Sequence, residues 1–281
     1  MPSARSAGRL IPGTRWRTPS SSPSSSSPTR GVSRAISQAP RRSTRRTGSA
    51  TRRRGRTFAR AVENTRILLR AARRAGVRRV VHVSVTNPRE DSPFAYFRGK
   101  AAVERDVLEL CPSHAIVRPT LVFGAGDLLV NNIAWILRRF PVFLVPRRTG
   151  RIQPVAGEDV AALAADLGAS AGNETVDAAG PEEYSFDELV RLVGRAVGSR
   201  ARVVGAPTTL ALTLCTLAGA VLRDAVVTRD ELEALAAGAL VSAKPPRGTR
   251  SFAAWLVESA PTLGAKYVSE LARNFRSHAP I

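Results

Sequence analysis

The sequence predicts an α/β protein that contains the later half of a doubly wound parallel sheet and a small, mostly helical C-terminal lobe. Two short β-branched or apolar runs, at Val80–Val83 and at 115–117, have the composition of buried parallel strands. Segments with apolar residues at helical spacing precede and separate these runs, as in alternating βαβ units. With 281 residues, the chain is long enough for one such domain with an appendage or for two small domains.

The composition divides the chain into three predicted parts: a leader at 1–57, an incomplete α/β domain at 58–180, and a smaller helical lobe at 181–281. The leader is rich in Arg, Ser and Pro, and the first acidic residue of the chain is Glu63. Most of the net charge of +21 therefore lies in the leader. Because the leader shows neither strand nor helix periodicity, we expect it to be disordered.

Three explanations of the leader compete. An Arg- and Ser-rich, acid-free segment is typical of an organellar transit peptide. It could also be a basic tail, or the product of an out-of-frame reading of a GC-rich gene, since Arg far outnumbers Lys. We favour the frame explanation, because an α/β domain of this kind should begin with a strand, a Gly-rich turn and a helix. No G-x-G-x-x-G or G-x-x-G-x-x-G precedes Thr57.

Several classes of function find no support in the composition. The leader lacks the interleaved aromatic residues and the motif spacing of specific nucleic-acid binders. His82, His114 and His278 form no metal-ligand spacing, so no metal site is predicted. Cys111 and Cys215 lie far apart in apolar contexts and are expected to be free thiols. The apolar run at 210–222 is too short for a transmembrane segment.

The remaining elements follow from periodicity and caps. A helix at 58–74 ends before Gly76, and the strand Val80–Val83 follows it. Further helices are predicted from Tyr96, over 128–139, from Glu158, and over several segments beyond Pro207. Ser185 and Glu188 form a capping box that opens a helix at 186–197.

Tyr96 and Lys100 form the one constellation that resembles a catalytic site. A spacing of four residues in a helix puts the phenol and the ammonium on one face. With three Tyr and three Lys in the chain, about 0.03 such pairs are expected by chance. A nearby ammonium should lower the pKa of the phenol. Ser84 ends the preceding strand, and ligands of open α/β sheets bind beyond the carboxyl ends of strands.

These motifs resemble a known family. HVSVTNP, YFRGK, AAVERD and IVRPTLVFG, in this order, resemble the NAD(P)-dependent epimerase/dehydratase branch of the short-chain dehydrogenase/reductases. Within it, the chain looks closest to relatives of the dehydrogenase-like accessory subunit of respiratory complex I. The resemblance implies a Rossmann-type sheet and NAD or NADP as cofactor.

The resemblance also implies roles for individual residues. Tyr96 would be the acid/base, Lys100 would hold the nicotinamide ribose, and Ser84, or alternatively Thr86, would orient the substrate oxygen. Tyr96, Lys100, Pro119 and Val122 would contact the cofactor. The implied function is that of an oxidoreductase acting on a hydroxyl or carbonyl carbon of a small molecule. Without the Gly-rich fingerprint, this chain should bind NAD(P) poorly.

Two alternatives stay open. The chain could be a non-catalytic, nucleotide-binding scaffold like the complex I accessory subunit. A cytoplasmic location is predicted, with an organellar one as the alternative if the leader is a transit peptide.

Overall fold

The computed structural model describes residues 50–147, 149–210, 213, 234 and 237–269, with side chains described from residue 59. The helices used below are α1 (Ala50–Arg74), α2 (Ala95–Leu110), α3 (Leu128–Arg139), α4 (Gly157–Ala169), α5 (Phe186–Ala196) and α6 (Phe252–Ser259). The strands are β1 (Val80–Val83), β2 (His114–Pro119), β3 (Leu121–Phe123), β4 (Val142–Pro146), β5 (Arg151–Ile152), β6 (Pro154–Ala156), β7 (Glu174–Ala178), β8 (Tyr184–Ser185) and β9 (Arg202–Ala206).

A parallel sheet of order β1-β2-β7 forms the centre of the first half, and helices cover both of its faces. On one face, Ile116 of β2 packs in a core with Val103 and Val107 of α2 and with Leu69 of α1. On the other face, Val117 packs with side chains of α4. Successive side chains of β2 thus pack in two cores, one on each face of the sheet. The predicted doubly wound α/β class is confirmed.

A third core joins the segments that follow β2. Phe123 of β3 is fully buried and packs edge to face against Phe252 of α6, with ring centroids 5.1 Å apart. Residues of α3 and α5 complete the same core. Three two-stranded pairs surround it: the parallel pairs β3–β6 and β4–β9 and the antiparallel pair β5–β8.

The predicted helix starts and caps agree with the structure at several points. The bounds of β1 and α3 are those expected from the sequence. The capping box at α5 is formed in both directions: the Glu188 amide donates to the Ser185 hydroxyl, and the Ser185 amide donates to the Glu188 carboxylate. Cys111 is a buried free thiol, whereas Cys215 lies outside the described residues.

One boundary is corrected. Helix α1 begins at Ala50 rather than at residue 58, so residues 50–57, which we expected to be disordered, are helical. Arg is a good helix former, and no Pro lies between Pro40 and Pro88 to stop the helix from extending upstream. The rest of the predicted leader lies outside the described residues.

A helix that crosses a lipid bilayer must be both long and apolar. Within the part of the chain that the structure describes, none of the helices combines the length and the apolar character that crossing a membrane requires.

Candidate functional site

Tyr96 and Lys100 lie in the first two turns of α2, at the carboxyl end of β1. The Lys100 ammonium lies over the Tyr96 ring, with Nζ 5.8 Å from the ring centroid, so both side chains occupy one face of the helix. Lys100 Nζ also donates a 3.0 Å hydrogen bond to the carbonyl of Val83, the last residue of β1. This bond fixes the ammonium at the end of the strand.

Ser84 and Thr86 continue the chain beyond β1 and are almost completely buried. Their backbone amides donate to the carbonyls of Val117 and Pro119, which holds the segment beside β2. In the described part of the chain, neither side-chain hydroxyl has a hydrogen-bond partner. Buried hydroxyls without partners are unfavourable, so they indicate a place where a ligand or water can bind.

A row of polar side chains crosses the sheet beside Ser84 and was not predicted from the sequence. Arg118 of β2 pairs in register with Asp177 of β7, on the face of the sheet that α2 covers. Two nitrogens of the Arg118 guanidinium donate to the buried carboxylate of Glu104, with Nε–Oε1 at 3.0 Å and Nη2–Oε2 at 2.5 Å. Asp177 accepts a 2.6 Å hydrogen bond from Ser242. Helical spacing could have revealed Glu104, since it follows Lys100 by four residues.

The electrostatic environment differs from the one expected for Tyr96. The surrounding protein raises the pKa of Tyr96 by desolvation, although 41% of the residue is exposed. The expectation that Lys100 lowers this pKa is therefore wrong for the protein without ligands. Lys100 lies over the ring face and donates to Val83, and burial lowers its own pKa despite the opposing effect of Glu104.

His82, on β1, lies in the same environment. Burial, followed by the charge of Lys100, lowers its pKa from the ordinary 6.5 to about 4, while Glu104 opposes the shift. Its buried Nε2 has no hydrogen-bond partner among the described residues. His82 is thus a neutral side chain at neutral pH.

The pKa of His82 makes stability depend on pH. Because folding lowers this pKa, the unfolded chain binds more protons between pH 4 and 6.5. We expect His82 to contribute a loss of about 2 kcal/mol in the free energy of unfolding when the pH falls from 7 to 5. Urea titrations at both pH values should show a smaller loss in a His82→Leu variant. Equal losses in the variant and the wild type would contradict this origin.

The other residues predicted to contact a cofactor lie on the adjoining strands. Pro119 is buried at the end of β2, and its carbonyl accepts the Thr86 amide. Val122 lies in β3 opposite Val155 and is 41% exposed. Asn87, with a positive φ of 52°, donates to the carbonyls of Ala239 and Val241. These bonds hold the segment 239–242 near the end of β1.

Relatives and solved structures of similar sequence or shape were found for this chain. One relative is subunit 9 of the NADH dehydrogenase (ubiquinone) 1 alpha subcomplex, a mitochondrial protein of Dictyostelium discoideum. The two chains are 28% identical over 119 residues, and the match covers 42% of this chain and 33% of the relative. It is 30% identical over 147 residues to the ceramide reductase of Caulobacter vibrioides, covering 52% of this chain and 46% of that enzyme. The chain thus spans between a third and a half of the length of these relatives. No protein-family model matches the chain.

The fold comparison agrees with the sequence comparison. The solved structure of a triphenylmethane reductase from Citrobacter sp. superposes with a TM-score of 0.62 at 17% identity, covering 72% of this chain and 71% of the reductase. The resemblance to the NAD(P)-dependent epimerase/dehydratase family is confirmed. The predicted cytoplasmic location gains no support, since the Dictyostelium relative is mitochondrial.

The residues at the end of β1 suit the nicotinamide end of the cofactor that this family uses. They offer an ammonium, a phenol and two buried hydroxyls without partners. The diphosphate end is different. The described chain ahead of β1 consists of α1 and a short connection, so it provides no Gly-rich turn between a strand and a helix N-terminus. The described residues therefore fit one half of the cofactor.

A cavity of about 340 Å³ lies elsewhere on the sheet. Its lining includes Gly76 and Val77, which precede β1, and Pro112 and Ser113, which precede β2. The cavity therefore opens at the amino ends of the strands, opposite the edge that carries Tyr96, and it does not form part of the candidate site.

Proposed function

We propose that this chain carries the nicotinamide and substrate half of an NAD(P)-dependent oxidoreductase of the epimerase/dehydratase type. The observation that carries the proposal is the Tyr96–Lys100 pair on one face of α2, with Lys100 bound to the carbonyl of Val83. Ser84 follows Val83 in the chain, and among the described residues the buried hydroxyls of Ser84 and Thr86 have no hydrogen-bond partner. The reaction is proposed to occur at a hydroxyl or carbonyl carbon of a small-molecule substrate.

Each side chain has a defined chemical role in this proposal. The chemistry that NAD(P)H would supply when bound is the transfer of a hydride to the carbonyl carbon. The Tyr96 hydroxyl gives its proton to the carbonyl oxygen, which becomes the alcohol oxygen, and the phenolate then regains a proton from water. Ser84 donates a hydrogen bond to the same substrate oxygen. Lys100 binds the ribose hydroxyls and, by its positive charge, favours the phenolate while it exists.

In the protein without ligands, Lys100 is bound to Val83 and the pKa of Tyr96 is raised, and both features bear on the proposed roles. Lys100 keeps donors besides the one that binds Val83, so it can contact the ribose without leaving the strand end. The raised pKa of Tyr96 keeps the phenol protonated, which is the form needed to reduce a carbonyl.

A non-catalytic scaffold is the second candidate. The match to a subunit of a mitochondrial NADH dehydrogenase complex favours it, because such a subunit has protein partners. The same match to a mitochondrial protein also favours an organellar location for this chain. The ceramide reductase match, in contrast, is to a protein named as an enzyme, and this supports the catalytic candidate.

Reductase activity can be tested with the full chain. We expect it to consume NADPH or NADH slowly when ketones, quinones or lipid ketones are supplied, with one alcohol formed for each reduced nicotinamide consumed. Absorbance of the reduced nicotinamide and mass spectrometry of the product give both quantities. If adding a carbonyl compound causes no consumption of reduced nicotinamide, and the chain co-purifies in a protein complex, the scaffold candidate is supported instead.

A further inference from the structure

The β4–β9 ribbon presents one face to the core and the opposite face to solvent. Phe143, Val145 and Val203 belong to or pack against the third core, which contains Phe123 and Phe252. Because successive side chains of a strand alternate between faces, the intervening residues point outward. Register pairs place Val142 beside Arg202 and Leu144 beside Val204 on this outer face.

The outer face is apolar and accessible. Val142 and Val204 are 45% and 44% exposed, and Phe140, which precedes β4, is 51% exposed. We call the set formed by Phe140, Val142, Leu144, Arg202 and Val204 the ribbon patch. Contiguous exposed apolar residues on a sheet face indicate an interaction surface, because leaving them in water is unfavourable.

Arginines border the ribbon patch, and one of them, Arg191, pairs with Asp187 at 3.8 Å. Two guanidinium groups bind carbonyls of β9: Arg191 donates to Val203 at 3.0 Å, and Arg147 donates to Gly205 at 3.3 Å. Among the described residues, neither Arg147 nor Arg202 forms an ion pair.

We propose that the ribbon patch docks on an anionic lipid surface. Apolar side chains bordered by cations match the boundary between acyl chains and negatively charged headgroups. A nucleic acid would satisfy the arginines but would leave the valines and Phe140 against a polar backbone. The proposal is independent of the oxidoreductase function, since the patch lies on β4 and β9 rather than at the end of β1.

Vesicle binding by the full chain tests the proposal, with two double variants that change the charge equally. Val142→Asp with Val204→Asp alters the patch. Leu108→Asp with Val257→Asp is the matched control, because Leu108 and Val257 are 55% and 70% exposed on helices α2 and α6. The vesicles contain phosphatidylcholine with phosphatidylglycerol in about 0.15 M salt, and any attraction by the basic leader is common to the wild type and both variants.

We expect the patch variant to bind at least about tenfold more weakly than wild type, and the control to stay within about twofold. Circular dichroism establishes that both variants are folded. If the aspartates unfold the ribbon, Val142→Ser with Val204→Ser replaces them, again with the same changes at Leu108 and Val257 as control. Equal losses in the patch and control variants would overturn the proposal. So would binding to pure phosphatidylcholine as tight as to the anionic vesicles, or a patch effect seen only with duplex DNA.

Discussion

Replacing Tyr96 by phenylalanine is expected to lower kcat by about 10²–10⁴-fold for any carbonyl substrate that the full chain reduces. The substitution removes only the hydroxyl that gives its proton to the substrate oxygen. The ring remains, and so does its edge-to-face contact with Phe97 at 5.6 Å. Because 41% of Tyr96 is exposed, the free energy of unfolding should change little.

Tyr267→Phe is the matched control for this experiment. The Tyr267 ring packs against Trp135, a residue of α3, and therefore belongs to a different part of the fold. Its loss of a hydroxyl should leave kcat within about twofold of wild type. A Tyr96→Phe variant with wild-type kcat would remove Tyr96 from the proton transfer.

The second large effect concerns the ion pair between Glu104 and Arg118. We expect Glu104→Gln to reduce the free energy of unfolding by about 3–5 kcal/mol, since it removes the carboxylate that binds a partly buried guanidinium and leaves only Asp177 as a charge partner. The Glu104 side chain is only 7% exposed and binds Arg118 through both oxygens. The same carboxylate also raises the pKa of Arg118, mainly through these hydrogen bonds.

Glu109→Gln provides the same chemical change on the same helix. Its partner Arg105 is 4.0 Å away, and the Glu109 side chain is 63% exposed, so its loss should cost less than about 1 kcal/mol. Urea denaturation of the three proteins at neutral pH measures both effects. Similar losses in the two variants would show that the Glu104–Arg118 pair contributes no more than a surface pair.

The sequence predicted those parts of the fold that depend on local signals. The bounds of α3 and the capping box of α5 follow from side chains a few residues apart. The β4–β9 pair was not predicted, because it joins Val142 to Arg202 across a long stretch of chain. Local periodicity contains no information about such a pairing, and the short runs involved lack a clear strand pattern.

The candidate site shows the same limit. The spacing of Tyr96 and Lys100 places them on one face of α2 without knowledge of the rest of the fold. The pKa of Tyr96 could not be predicted in this way, because it depends on burial by residues from other elements. The contact between Glu104 and Arg118 required the packing of α2 on β2, which a sequence alone does not specify.

Comparing the binding of NADPH with that of reduced nicotinamide mononucleotide tests the central claim most directly. If the chain provides only the nicotinamide half of the site, the adenine and diphosphate groups add little, and the two affinities should agree within about threefold. Both should be weak and should be lost in a Lys100→Met variant, as measured by saturation-transfer NMR on the full chain. Micromolar NADPH binding, with the mononucleotide bound more than about a hundredfold more weakly, would contradict the account.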